Sequence, residues 1–113
     1  MRTLSFSRAG AQGKAALLLG LCLGLLTMQA QASEALARKN DCLGCHAVAT
    51  KLVGPAFKDV SAKYADQPDA KANLVQSIRN GGVGKWGDLP MPAHPKLSDA
   101  DAKKLAAWVL GLK

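Results

Sequence analysis

Cys42-Leu43-Gly44-Cys45-His46 is the run that most narrows what this chain can fold into. Two thiols three positions apart, with an imidazole directly after them, serve three chemistries. A zinc site would take Cys42, Cys45, His46 and a fourth ligand. His94 is the only other histidine in the sequence, and the adjacent Cys45 and His46 chelate one ion poorly. A dithiol redox pair belongs in a strand–helix–strand frame, and the chain has no alternating strand pattern. The third is covalent attachment of a c-type haem. Thiols at this spacing can add to two vinyl groups of one porphyrin, and His46 is then held against the iron as proximal ligand. The haem reading is carried forward, with one haem c expected.

The residues before the motif read as a leader. Arg2, Arg8 and Lys14 precede an apolar run from Ala15 to Met28, and Ala30-Gln31-Ala32 fits the small-x-small pattern of signal peptidase. The run is shorter than the ~20 apolar residues that span hydrocarbon. Residues 1–32 are therefore expected to be a cleaved signal peptide and 33–113 a single domain. That assignment predicts a periplasmic location and no stable membrane insertion. Cys22 leaves with the leader, so Cys42 and Cys45 are the only thiols of the mature chain.

A domain of 81 residues (113 less the 32 of the leader) buries a modest share of its surface and commonly leans on a cofactor. Of 15 Lys and Arg, three go with the leader, leaving 12 against 8 acidic residues, a formal +4. The charges are scattered without aromatic interleaving, which argues against nucleic-acid binding.

Hydrophobic periodicity predicts an all-α fold of about four short helices. The first runs from Ser33 to Asn40 with Leu36 inward. The second starts at Pro55, carries Phe57, Val60 and Tyr64 on one face, and ends before Gln67-Pro68. Asp69 is placed to cap the third, with Leu74, Val75 and Ile78 inward and Gly81-Gly82 closing it. Ser98 caps the fourth, Asp99 and Asp101 occupy its first turn, and Leu105, Trp108, Val109 and Leu112 recur along one face.

Between the last two helices, residues 81–97 are long for a structureless connection in so small a domain. A bond from this loop to a metal would tie it down, and Met91 in Leu89-Pro90-Met91-Pro92 is the candidate. Flanking prolines stiffen the backbone that presents the thioether, and a soft sulfur donor favours ferrous iron. His94 is the competing ligand. A second protein ligand closes the iron and makes an electron carrier, whereas an open iron could act as an enzyme or ligand sensor; Met91 points to the carrier, with no catalytic residues expected.

From CLGCH through VGPAFKDVSAKYA, IRNGG, GKWG and LPMP to AAWVLGLK, the chain resembles class I cytochromes c of the short bacterial cytochrome c-551 (c8) type. The resemblance implies that the Pro55 carbonyl accepts Nδ1–H of His46 and that Trp86 hydrogen-bonds a haem propionate. It also implies that Phe57, Tyr64, Leu74, Ile78 and Trp108 pack around the ring. Ser77 stands where an arginine or histidine near a propionate is common, and His94 where an asparagine or glutamine often follows the ligand motif. A monomer docking transiently with redox partners is implied. Nitrite reductase, a terminal oxidase, a peroxidase or a photosynthetic reaction centre are the candidates, with Lys39, Lys51, Lys58 and Lys85 as candidate rim lysines.

Overall fold

The computed structural model describes residues 28–31 and 33–113. Apart from 28–31, the expected leader lies outside the described residues, as does its cleavage residue Ala32. Helix α1 comprises residues 33–39. Ala37, 0% exposed, is its residue in the core, while Leu36, expected inward, is only half-buried against it. The Arg38–Glu34 pair at 3.0 Å is exposed and contributes at most a few tenths of a kcal/mol. Asn40 ends the helix by donating from both its backbone N–H and its side chain to the Leu36 carbonyl (3.2 and 2.9 Å).

Helix α2 (Phe57–Tyr64) buries Phe57, Val60 and Tyr64, the face anticipated from their spacing, and also Ser61. The Ser61 hydroxyl donates to the Leu110 carbonyl at 2.9 Å, satisfying an acceptor at a helix C-terminus that has no intrahelical donor. Pro55, expected to open this helix, lies two residues before it. Its carbonyl is engaged by His46 instead.

Helix α3 (Ala70–Asn80) buries Ala70, Leu74 and Val75, with Ile78 packed at the core's edge. Asp69 holds the N-cap position, but its side chain makes no capping bond, contrary to expectation. Its backbone, at φ −96° and ψ 13°, lies outside the extended region usual for a capping residue. Helix α4 (Asp99–Leu110) is capped as anticipated: Asp101 N–H donates to Ser98 Oγ at 3.1 Å. Ala102, Leu105, Ala106 and Val109 are buried, and α4 packs against both α2 and α3.

The domain is all-α, as expected; one isolated bridge, Gly82–Met91, is the extended pairing among the described residues. It has both antiparallel bonds, Gly82 N–H to Met91 O at 3.0 Å and Met91 N–H to Gly82 O at 2.8 Å. The long loop is therefore closed at its neck by backbone pairing, a tether that the residue pattern does not announce. Further along, Arg79 donates to the Leu97 carbonyl at 2.8 Å and approaches Asp99 at 3.2 Å, joining the end of α3 to the start of α4.

Candidate haem-binding cleft

The C-x-x-C-H run folds as one tight turn. Asp41 adopts a left-handed conformation (φ 58°), turning the chain out of α1, and Cys42–Gly44 form a 3₁₀ turn. His46 N–H donates to the Cys42 carbonyl at 3.0 Å, so the first thiol and the imidazole share one rigid unit. Cys42 is half-buried and Cys45 exposed, and neither is in a disulfide. Burial pushes the Cys42 thiol above its ordinary range; a bond to its own backbone N–H opposes this, and the Asp41 carboxylate adds to it.

The His46 ring is fixed on three sides. Nδ1 lies 2.8 Å from the Pro55 carbonyl oxygen, which makes Nδ1 the protonated nitrogen and leaves Nε2 as the donor. Phe57 stacks on the ring, with centroids 4.9 Å apart and planes 17° from parallel, and Trp108 meets Phe57 edge-on at 5.3 Å. Gly54 closes the remaining side. A Cβ there would lie 2.8 Å from Nδ1 and 2.9 Å from Nε2 and would run into Cε1.

His46 opens on a cleft of about 360 Å³ that Cys42, Cys45, Pro55, Trp86, Met91 and His94 also line. Phe57, Tyr64, Leu74, Ile78 and Trp108, the expected packing residues, all form its walls. Met91 is half-buried and enters from the loop closed by the Gly82 bridge. This loop crosses directly over Gly81, where φ is +68° and a Cβ would meet the Met91 carbonyl and lie 2.8 Å from Ala93 N. His94 lines the cleft and also reaches α3: Nδ1 is 3.3 Å and its backbone N–H 3.2 Å from the Ile78 carbonyl. These contacts hold the Met91 loop against the end of α3.

These residues fit a haem. The donors are two thiols for attachment, an oriented imidazole and a thioether; among the described residues no cluster of three His, Cys, Asp or Glu is arranged to hold a metal ion by itself. No large side chain among them is fully enclosed. Among the described residues, Leu52, Val53, Val83, Trp86 and Leu89, five of the six large apolar residues that stand exposed, all line this cleft. Apolar surface gathered at one cleft marks a binding site. Gly54 and the Phe57 stacking role escaped the sequence reading, although both lie within the VGPAF segment that carries the resemblance.

The family model for cytochrome c matches residues 30–113. Cytochrome c-552 of Nitrosomonas europaea is 54% identical over 89 residues, covering 79% of this chain and 86% of its own. Cytochrome c-551 of Pseudomonas aeruginosa is 48% identical over 101 residues, 87% of this chain and 96% of its own. The crystal structure of the Nitrosomonas europaea protein superposes with a TM-score of 0.69 at 55% identity, covering 71% of this chain and 99% of that one. The chain thus belongs to the cytochrome c family, as a monohaem electron carrier of the class I fold with one covalently bound haem c.

Proposed function

We propose that Cys42 and Cys45 carry the haem through two thioether bonds, that His46 Nε2 is the proximal ligand and Met91 Sδ the distal one, and that the chain works as a one-electron shuttle in the periplasm. The observation that carries this reading is the seating of His46. An imidazole held at Nδ1 by Pro55, stacked on Phe57 and backed by Gly54 can present only Nε2 to the cleft. When bound, the haem supplies an iron that alternates between ferrous and ferric states. The protein's part is to hold both ligand atoms still. The 3₁₀ turn and Pro55 fix one, and the Gly82–Met91 bridge fixes the backbone of the other. Apolar walls keep water out, and transient docking of redox proteins at the cleft's mouth is small and weak by nature.

Residues 1–32 then serve as the export leader, with cleavage after Ala32 and a monomeric domain from residue 33 onward. No helix among the described residues is long and apolar enough to cross a membrane.

Expression with a haem-attachment apparatus tests the assignment. The purified chain gains the mass of one haem and begins at Ser33, and Met91→Ala loses the near-infrared sulfur-to-iron band. Retention of that band in Met91→Ala, with its loss in His94→Ala, sinks the ligand assignment. Strong binding of carbon monoxide by the reduced native protein would argue for an open iron instead. Stopped-flow reduction of nitrite reductase, a terminal oxidase, a peroxidase or a reaction centre identifies the partner.

A further inference from the structure

Two lysine side chains, Lys85 and Lys63, are tied down beside the cleft. Lys85 Nζ lies 3.2 Å from the hydroxyl of Ser77 on α3. Lys63 Nζ, from α2, donates to the Lys85 carbonyl at 3.0 Å and sits 4.4 Å from the centroid of the Trp86 ring. Ser77, Lys85 and Trp86 line the cleft. Lysine side chains on a protein surface ordinarily keep their rotamer freedom, and fixing one costs up to ~2 kcal/mol of entropy. Here both are tied to neutral partners: a hydroxyl, a carbonyl and an aromatic face. Among the described residues neither ammonium is within 4 Å of a carboxylate, whereas Arg38, Arg79, Lys103 and Lys104 each are. Asp41 and Asp88 also line the cleft, yet neither pairs with them.

Cations fixed beside a mostly apolar cleft match a flat apolar ligand that carries an anion on its rim. A haem has two such groups, its propionates. We propose that Lys85, positioned by Ser77 and backed by Lys63 over Trp86, is the cationic partner of a haem propionate. The proposal rests on the haem reading above. It gives Ser77 a role: the hydroxyl does not replace a basic residue on α3 but receives a cation delivered from the loop. It also removes Lys85 from the set of lysines that steer an incoming partner. A positive charge beside the propionate offsets the negative charge that stabilises ferric iron, so its removal favours the oxidised state.

The test uses the holoprotein, with covalent haem verified by mass in every variant. Midpoint potential at fixed pH and low ionic strength is read alongside the NMR resonances of the propionate methylenes. Lys85→Gln is expected to lower the potential and displace the resonances of one propionate. Lys85→Arg keeps both near wild type, and Ser77→Ala moves both in the same direction as Lys85→Gln by a smaller amount. Ser77→Lys in the Lys85→Gln background restores the potential by supplying the cation from α3. A holoprotein in which Lys85→Gln changes neither quantity, while flattening the salt dependence of electron transfer to an acidic partner, overturns the proposal and makes Lys85 a docking residue. A wild-type chain that never acquires haem overturns this inference and the haem reading together.

Discussion

His46 Nδ1 and the Pro55 carbonyl oxygen lie 2.8 Å apart, and Gly54, next to that proline, leaves no room for the imidazole to retreat. One dipeptide thus does two things to the same ring. The carbonyl chooses which nitrogen keeps its proton, and the bare Cα lets the chain pass close enough for the carbonyl to reach. Gly54 N–H also donates to the Cys45 carbonyl at 2.7 Å, binding the dipeptide to the attachment turn itself.

Gly54→Ala follows directly. The added methyl overlaps the imidazole, which is backed by Phe57 and cannot simply slide. Overpacking of this kind costs about 1–3 kcal/mol. The expected outcome is a stability lowered by that amount in chemical denaturation, with unchanged cooperativity, and a weakened Nδ1–H signal in the proton NMR spectrum. A Gly54→Ala variant as stable as the parent would mean that the turn can open without cost.

The two helix caps separate what a residue pattern can and cannot convey. Ser98 and Asp69 both precede apolar-periodic runs and both invite the same reading, yet only Ser98 makes the bond. The difference lies in backbone dihedrals: Ser98 is extended (φ −65°, ψ 154°), while Asp69 is held near the bridge region by the preceding turn, in which Ala70 N–H donates to Gln67 O at 3.2 Å. Ser98→Ala is expected to cost about 1 kcal/mol, and Asp69→Ala only a few tenths from the lost charge near a helix N-terminus. Chemical denaturation of the two variants side by side checks the contrast.

Asp41 is the one non-glycine residue with positive φ among those described, and it stands just before the attachment turn. Aspartate tolerates this conformation better than most residues, and a β-branched side chain tolerates it worst. Asp41→Val should lose about 1–2 kcal/mol, whereas Asp41→Asn should stay within ~0.5 kcal/mol of the parent, as expected where the backbone conformation rather than the charge decides. Equal losses in both, measured by thermal unfolding, would place the effect in the carboxylate instead.

Much of the cleft was legible because its chemistry is local in sequence. Cys42, Cys45 and His46 are consecutive or nearly so, and the prolines around Met91 advertise a stiff presentation. The buried face of α2 was equally readable, since Phe57, Val60 and Tyr64 recur at the helical period. What stayed hidden depends on distant partners. Ser61 reaches Leu110, Lys85 reaches Ser77 and Arg79 reaches Leu97, pairs that no periodicity brings together. The Gly82–Met91 bridge belongs to the same class. It turned a loop that looked untethered without a metal bond into one with its own backbone closure.

That closure bears on His94, whose ring and backbone N–H both address the Ile78 carbonyl. A carbonyl at the C-terminal turn of α3 welcomes a donor, and the imidazole supplies a second one beside the amide. Removing the ring leaves the backbone bond in place, so the expected loss of stability in His94→Ala is modest, about 0.5–1.5 kcal/mol for one hydrogen bond. The larger consequence is local. With one anchor fewer, the loop opens more often without the domain unfolding. Amide hydrogen exchange at Met91 and Gly82, both bonded across the bridge, should quicken several-fold, while exchange in the middle of α4 follows only the global change. The sulfur-to-iron band should survive at room temperature and fade at a lower temperature than in the parent, ahead of global unfolding. If the two amides exchange at parental rates and the band fades with the global transition, the bridge alone holds Met91 in place and the histidine is a bystander.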